Sequence, residues 1–192
     1  VDVHDSAVLR EHFQGCDAVI HLVGILNEKG HDGRGFQAAH VELPRKVVQA
    51  CRETGVRRIL HMSALHADAA KGPSHYLRTK GEGEDLVHAA AAEGSRVTSF
   101  RPSVIFGPKD SFINRFAGLL RFAPFFFPLA CPEAKFAPVY VGDVARAFAL
   151  TLEDPRSFGR RYDLCGPRIY TLKEIVELTA RAFGLRRKVI GL

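Results

Sequence analysis

His61 to Val87 reads HMSALHADAAKGPSHYLRTKGEGEDLV, and the rest of the chain is read outward from it. An apolar run of strand character closes at Ser63. A polar loop follows, and then Tyr76 and Lys80 open a helical stretch four residues apart. Positions i and i+4 of a helix share a face, so the phenol and the ammonium point into the same space. A cation there favours the phenolate and is expected to lower the tyrosine pKa from its free value of about 10. A phenol tuned that way passes a proton to or from a carbonyl or alcohol oxygen near neutral pH. The hydroxyl of Ser63, on a neighbouring strand end, is placed to hold that oxygen still. Ser63, Tyr76 and Lys80 are therefore the candidate catalytic residues, suited to the oxygen side of hydride transfer at a nicotinamide. The plainer alternative is a Tyr–Lys pair on a solvated helix face, and the surrounding sequence decides between the two.

Upstream, Arg57 to Ser63 reads as a strand, and residues 36–53 carry helical apolar spacing: Phe36, Ala39, Val41, Leu43, Val47, Val48, Cys51. Pro44 inside that stretch implies a kink or a later helix start, and Gly55 ends it. Residues 25–35 are polar and glycine-bearing, a mobile loop. Ala18 to Val23 is a nearly continuous apolar run ending in Gly24, as a buried parallel strand reads. Val1 to Asp5 reads as the end of another strand followed by a turn, with Asp5 or Ser6 capping a short helix through Phe13.

Downstream, a helix is predicted from Ser74 to Ala92, a strand over 97–105 and a helix over 112–121. Asp143 is placed as the N-cap of a helix reaching Leu152. Tyr162–Leu164 is a short strand. Thr171 and Glu174 form a capping box opening a helix to Phe183, Gly184 closes it, and a strand starts at Lys188. Strand alternates with helix through roughly the first 105 residues, which argues an α/β fold with a doubly wound parallel sheet. In such sheets ligands lie at the carboxyl ends of strands. Those ends are Asp2-Val3, Val23-Gly24, Ser63 and Ser103-Val104, so the candidate chemistry sits where the fold would put it.

The 192 residues are enough for a packed core, and 46% are apolar, so bulk disorder is excluded. The 27 basic side chains against 21 acidic ones give a net charge of +6. Such a surplus suits an anionic partner: a dinucleotide, an acidic protein or a membrane surface. The bases are scattered, and most are read as solvated surface. Nucleic acid is not expected as a partner, because no helix-turn-helix, zinc or aromatic-platform signature accompanies the charge. Cys16, Cys51, Cys131 and Cys165 are far apart, so reduced, packed thiols in a cytoplasmic-type compartment are expected, and no metal cluster. The run Phe122 to Ala130, FAPFFFPLA, is too short to cross a bilayer. A buried lid segment, an exposed partner patch and a membrane-surface contact stay open for it, in that order.

Six ordered stretches together resemble a known family: Asp2-Val3, HLVG (His21–Gly24), HMSA (His61–Ala64), Tyr76-x-x-x-Lys80, RPSVIFGP (Arg101–Pro108) and PVYVGDVARA (Pro138–Ala147). They resemble the extended and atypical short-chain dehydrogenase/reductases, the NAD-dependent epimerase/dehydratase group. Within it, HLVGILNE, HVELP and RPSVIFGPKDSFINRFAGLL are most similar to the subgroup that includes the NAD(P)H-binding accessory subunit of respiratory complex I and its bacterial relatives. The resemblance implies a Rossmann-type fold. Residues 1–110 would be the remainder of a dinucleotide-binding domain, and 111–192 a mixed segment holding part of a smaller substrate lobe, with helices returning to the Rossmann core.

The resemblance also implies roles. Asp2 and Val3 would meet the adenine. Leu22, Val23 and Gly24 would pass under the ribose and pyrophosphate, where glycine allows close approach. Ser63 would hold the substrate oxygen, Tyr76 would be the acid/base, and Lys80 would bond the nicotinamide ribose. Pro102, Ser103 and Val104 would lie against the nicotinamide amide. At His40, sugar epimerases of the family usually carry an asparagine that holds a catalytic water network. The cofactor implied is NAD or NADP, with NADP(H) slightly favoured by the subgroup. The G-x-x-G-x-x-G turn that opens the family is absent from these residues, so the sequence is expected to be a fragment of a longer dinucleotide-binding protein. Two functions remain open: hydride transfer at a carbinol or carbonyl carbon of an unknown small molecule, or non-catalytic binding of NAD(P)H in a respiratory assembly. Partners would be complex subunits or a second copy, and the location cytoplasmic or peripheral to the inner membrane.

Overall fold

The computed structural model describes residues 2–30 and 32–192. By contact the chain divides into two units, Val1–Pro102 with Ala147–Asp163, and Ser103–Arg146 with Leu164–Leu192.

The first unit opens with helix α1 (Ser6–Phe13), capped by the Asp5 carboxylate, which accepts the Ala7 N–H. Strand β1 (Ala18–His21) follows, then α2 (Arg34–Gln37), a π-helical turn (Ala38–Glu42) and α3 (Leu43–Thr54). Next come β2 (Arg58–Met62), α4 (His75–Ala89) and β3 (Arg96–Pro102). β1 pairs with β2 and β2 with β3, all parallel, in a register that aligns His21, His61 and Ser99. Valine, isoleucine and leucine dominate the inward positions. Leu9, Val19, Leu43, Val47, Ile59, Val87 and Val97 form one buried cluster. Each such side chain contributes about 1.5–3 kcal/mol on leaving water.

Pro44 is accommodated in the first turn of α3, and the π-helical turn lies immediately before it. Proline has no N–H to offer the His40 carbonyl four residues back. α4 comes in against that carbonyl at Gly83, where an added Cβ would overlap the oxygen. The helix expected over 36–53 is thus two helices joined by a π-turn. The loop before it is also less free than its composition suggests. The Glu28 carboxylate accepts the N–H groups of Gly33 and Gly35 at 2.9 Å each and so closes the start of α2.

The second unit holds β4 (Ile105–Phe106), α5 (Ile113–Phe122), β5 (Phe126–Leu129), β6 (Lys135–Phe136) and β7 (Val139–Tyr140). Helix α6 (Val141–Thr151) and β8 (Arg160–Leu164) run across the boundaries of the two units. β8 is the fourth strand of the main sheet, whose order is β1-β2-β3-β8. The chain ends with β9 (Tyr170–Thr171), α7 (Leu172–Ala182) and β10 (Lys188–Gly191). β4 pairs with β7 and β10 with β5, both parallel, and β6 pairs with β9 antiparallel. A small core of Leu120, Leu129, Val176, Ala180 and Val189 lies in this unit. The capping box is formed as the spacing of Thr171 and Glu174 requires.

Three readings are corrected. α6 begins at Val141, so Asp143 lies in its first turn, where its charge suits the helix end, and not at the N-cap. Of the four cysteines only Cys51 is buried, and burial pushes its thiol up to about 12. Arg58 is one basic residue that is buried: its guanidinium donates to the carbonyls of Arg96, Thr151 and Leu152, and to Thr98 Oγ1 and Ser157 Oγ. The FAPFFFPLA run is not a covered lid, since Phe122 is 89% and Phe125 81% exposed, while Phe127 packs on the second core. Among the described residues no helix is long and apolar enough to cross a membrane.

Candidate functional site

The parallel register of β1, β2 and β3 brings their carboxyl ends to one edge of the sheet. β1 stops at His21, so Leu22, Val23 and Gly24 leave the strand as an exposed apolar turn. Gly24 faces side chains from two other elements. A Cβ built there would lie 3.4 Å from His40 Nε2 and 3.5 Å from Lys80 Nζ. Gly24, His40 and Lys80 thus converge, although the chain separates them widely.

Ser74 caps α4 through its Oγ, which accepts the Leu77 N–H, and this fixes the phase of the helix. Tyr76 and Lys80 then point toward the same neighbourhood. The Tyr76 ring packs edge-on against His40, with centroids 5.3 Å apart, and lies 6.0 Å from Phe36. Lys80 is buried and donates from Nζ to the Met62 carbonyl at 2.6 Å. Burial lowers its pKa to about 8, opposed in part by Glu84. The expected lowering of the Tyr76 pKa is reversed: burial raises it. Desolvation penalises the phenolate, and the ammonium meant to favour it is turned onto a backbone carbonyl.

Ser63 follows β2 directly and is buried. Its Oγ donates to Glu84 Oε2 at 3.0 Å. Glu84 is fully buried and is gripped by Arg101 Nε at 2.9 Å, with Arg161 Nε 3.5 Å from its other oxygen. Glu84 escaped the sequence reading. The signal was present, because it stands four residues after Lys80 and eight after Tyr76, on the same helical face.

Beneath this layer His21 and His61 stack with centroids 5.3 Å apart, and His21 Nε2 and both ring nitrogens of His61 lack a partner among the described residues. Burial keeps both rings neutral, lowering the His21 pKa to about 4 and that of His61 well below the ordinary value. Their signal was two histidines at equivalent ends of two predicted strands.

The remaining candidates are dispersed. Asp2 is exposed and accepts the His4 N–H at 2.8 Å, in a turn instead of a strand end, and Val3 packs beside the first core. Val1, the start of that expected strand end, lies outside the described residues. The Pro102 carbonyl, at the end of β3, accepts the Leu65 N–H at 2.9 Å. Ser103 and Val104 belong to the second unit, where Ser103 Oγ accepts the Ala137 N–H and the Val104 carbonyl the Val139 N–H.

A nicotinamide ribose fits this chemistry. The Lys80 ammonium carries three N–H donors, of which Met62 takes one. The parallel strands alternating with helices define a Rossmann-type α/β protein. Residues 1–165 match the NAD dependent epimerase/dehydratase family, and the chain belongs to it. It is 34% identical over 188 residues to the mouse protein "NADH dehydrogenase [ubiquinone] 1 alpha subcomplex subunit 9, mitochondrial", covering 95% of this chain and 48% of that one. The Neurospora crassa "NADH-ubiquinone oxidoreductase 40 kDa subunit, mitochondrial" is 26% identical, covering 99% and 48%. The chain thus spans about half the length of these curated relatives. Among solved structures, a dTDP-glucose 4,6-dehydratase from Streptomyces venezuelae with NAD bound superposes with a TM-score of 0.83 at 21% identity, covering 100% of this chain and 66% of that one. A Thermus thermophilus UDP-glucose 4-epimerase in complex with NAD gives 0.82 at 22%, covering 99% and 70%. These two likenesses establish the fold.

Proposed function

We propose that the first unit binds a nicotinamide dinucleotide along the carboxyl edge of β1, β2 and β3, and that the protein holds it as an accessory subunit of a respiratory NADH dehydrogenase. The observation that carries the non-catalytic part is the commitment of Ser63. Its proton goes to a carboxylate that two arginines hold in place, so it is not aimed at a substrate oxygen. The buried Tyr76 phenol, raised in pKa, agrees with this. The mitochondrial respiratory subunits at 26–34% identity supply the class of assembly. In this reading Leu22, Val23 and Gly24 underlie the pyrophosphate and ribose, Lys80 bonds the nicotinamide ribose, Asp2 and Val3 serve the adenine, and Pro102 borders the carboxamide. NADP(H) is the form proposed over NAD, and the location is peripheral to the respiratory membrane.

A second reading, hydride transfer with Tyr76 as acid/base and the second unit as part of a substrate lobe, is favoured by the shared face of Tyr76 and Lys80. One experiment separates the two. Full-length protein carrying Tyr76→Phe is compared with wild type for NADH and NADPH binding by calorimetry, for incorporation into the respiratory assembly, and for metabolite turnover. The subunit reading expects binding and incorporation unchanged and no conversion lost. Loss of a metabolite conversion with binding intact overturns it in favour of the enzyme.

A further inference from the structure

We infer that His40 is a positioning residue, a neutral latch that ties the turn after β1 to the first turn of α4 and so sets the depth of the groove in which the dinucleotide would lie. This deepens the binding reading and rests on it. The hydrogen bonds around the ring fix its tautomer. The backbone N–H of Ile25 approaches His40 Nε2 at 3.1 Å, and an amide can only donate, so Nε2 carries the lone pair. The proton therefore sits on Nδ1, 3.0 Å from Thr79 Oγ1. Thr79 can accept it, because its own proton goes to the His75 carbonyl at 2.8 Å. The chain of donors runs one way, from Ile25 N–H through the imidazole and the threonine hydroxyl to a helix carbonyl.

Both ends of that chain are backbone groups. A line that begins on an amide N–H and ends on an amide carbonyl does not relay protons; it holds parts together. The parts are the Gly24–Ile25 turn, the π-helical turn bearing His40, and the residues of α4 around Tyr76. His40 is 2% exposed, stacks on Phe36 with centroids 5.6 Å apart, and meets the Tyr76 ring edge-on. A Cβ at Gly24 would meet His40 Nε2 at 3.4 Å and Lys80 Nζ at 3.5 Å, ordinary contact distances, so the turn lies directly against both side chains. The π-turn is what lets a residue just before Pro44 reach the β1 turn, and such turns often mark functional positions. Burial, with the Lys80 ammonium alongside, lowers the His40 pKa to about 4, so the latch is closed at neutral pH.

The test uses full-length protein and three readouts: NADPH and NADH affinity, hydrogen exchange at the Ile25 amide, and thermal stability. His40→Ala is expected to deprotect the Ile25 amide and weaken dinucleotide binding about tenfold, the equivalent of one hydrogen bond lost from the bound state. His40→Gln offers a neutral acceptor and donor on one side chain, and is expected to restore both protection and affinity. His40→Phe keeps the ring but has no acceptor, and is expected to behave as His40→Ala while melting closer to wild type. The inference is overturned if Ile25 stays protected in His40→Ala, or if affinity follows melting temperature across the three variants instead of following Ile25 protection. If the wild-type protein binds neither dinucleotide, the binding reading fails and the groove role falls with it. Loss of Ile25 protection in His40→Ala alone would still identify the hydrogen-bonded latch.

Discussion

The Ser63 hydroxyl donates to the Glu84 carboxylate across 3.0 Å, joining the end of β2 to the middle of α4 inside the fold. Glu84 has no exposure at all, and its partners Arg101 and Arg161 keep 26% and 35% of their side chains in solvent. Removing the carboxylate takes the partner from Arg101 and from the Ser63 hydroxyl, while Arg161 keeps the Asp85 carboxylate at 2.7 Å. Glu84→Ala is expected to cost about 3 kcal/mol, at the low end for a broken buried pair because both arginines can turn outward. Ser63→Ala removes one hydrogen bond and should cost about 1 kcal/mol. Urea unfolding of both variants measures the difference, and equal losses would show that the arginines do not depend on Glu84.

Arg58 is the second buried cation, and it is held by dipoles instead of an acid. Six oxygen acceptors surround its guanidinium, and Phe158 covers it with the ring centroid 4.8 Å from the guanidinium carbon. These bonds satisfy the ends of α6 and β3 as well as the arginine. Arg58→Met fills similar space but orphans the carbonyls, and an expected loss of about 3 kcal/mol follows from several unsatisfied groups. Arg58→Lys cannot reproduce the fork of donors and should recover less than half of that loss. The same unfolding assay checks both.

These two residues show where the sequence was legible and where it was not. The order of strands and helices could be read because it is written in local patterns: the apolar run at 18–23, the capping box at Thr171 and Glu174, the glycines that end α3 and the turn after α4. So could the convergence of Gly24 and Lys80, since strand ends in a parallel sheet must share an edge. The partner of a polar side chain is a different matter. Nothing near Arg58 announces that the carbonyls of Thr151 and Leu152 will close over it, and nothing near Ser63 shows whether its proton goes outward or to Glu84. The direction of the Tyr76 shift was missed for the same reason. A helix face places lysine beside tyrosine, but the depth of both, which decides the sign, depends on Phe36 and His40 arriving from another element.

Glycine tolerance gives a sharper contrast. Gly83 and Gly118 both lie inside helices, α4 and α5. A Cβ at Gly83 would overlap the His40 carbonyl, which is backbone and cannot swing aside, whereas nothing lies within 4 Å of one at Gly118. Gly118→Ala should therefore stabilise the protein by about 0.8 kcal/mol through helix propensity. Gly83→Ala should force α4 off the π-turn and lower the yield of folded protein. Thermal melts of the two single variants decide it, and a neutral Gly83→Ala would mean that the helices are not in backbone contact.

Acid sensitivity follows from the histidine layer, and its sign can be fixed. His21, His40 and His88 are each lowered from the ordinary 6.5 to about 4, chiefly by burial, and His61 well below it for the same reason. Above pH 6.5 these rings are neutral in both folded and unfolded chains, and their contribution to stability is fully present. Between 6.5 and about 4 the unfolded chain takes up protons that the folded chain refuses, so stability falls as pH falls. Lys80, lowered to about 8, acts in a separate window: stability rises between pH 8 and 10.5 as the unfolded chain alone keeps the proton. The urea midpoint should thus drop steeply from pH 7 to pH 4.5. His61 is the residue on which to test the origin of the slope, because both its ring nitrogens are buried beside His21 without a partner among the described residues. An apolar side chain of similar volume loses no hydrogen bond there and removes one group that must stay neutral. His61→Leu should be no less stable than wild type at pH 7 and clearly more stable at pH 5, giving a flatter profile. A variant that is destabilised equally at both pH values would show that the imidazole is held by partners of its own and that the acid slope arises elsewhere.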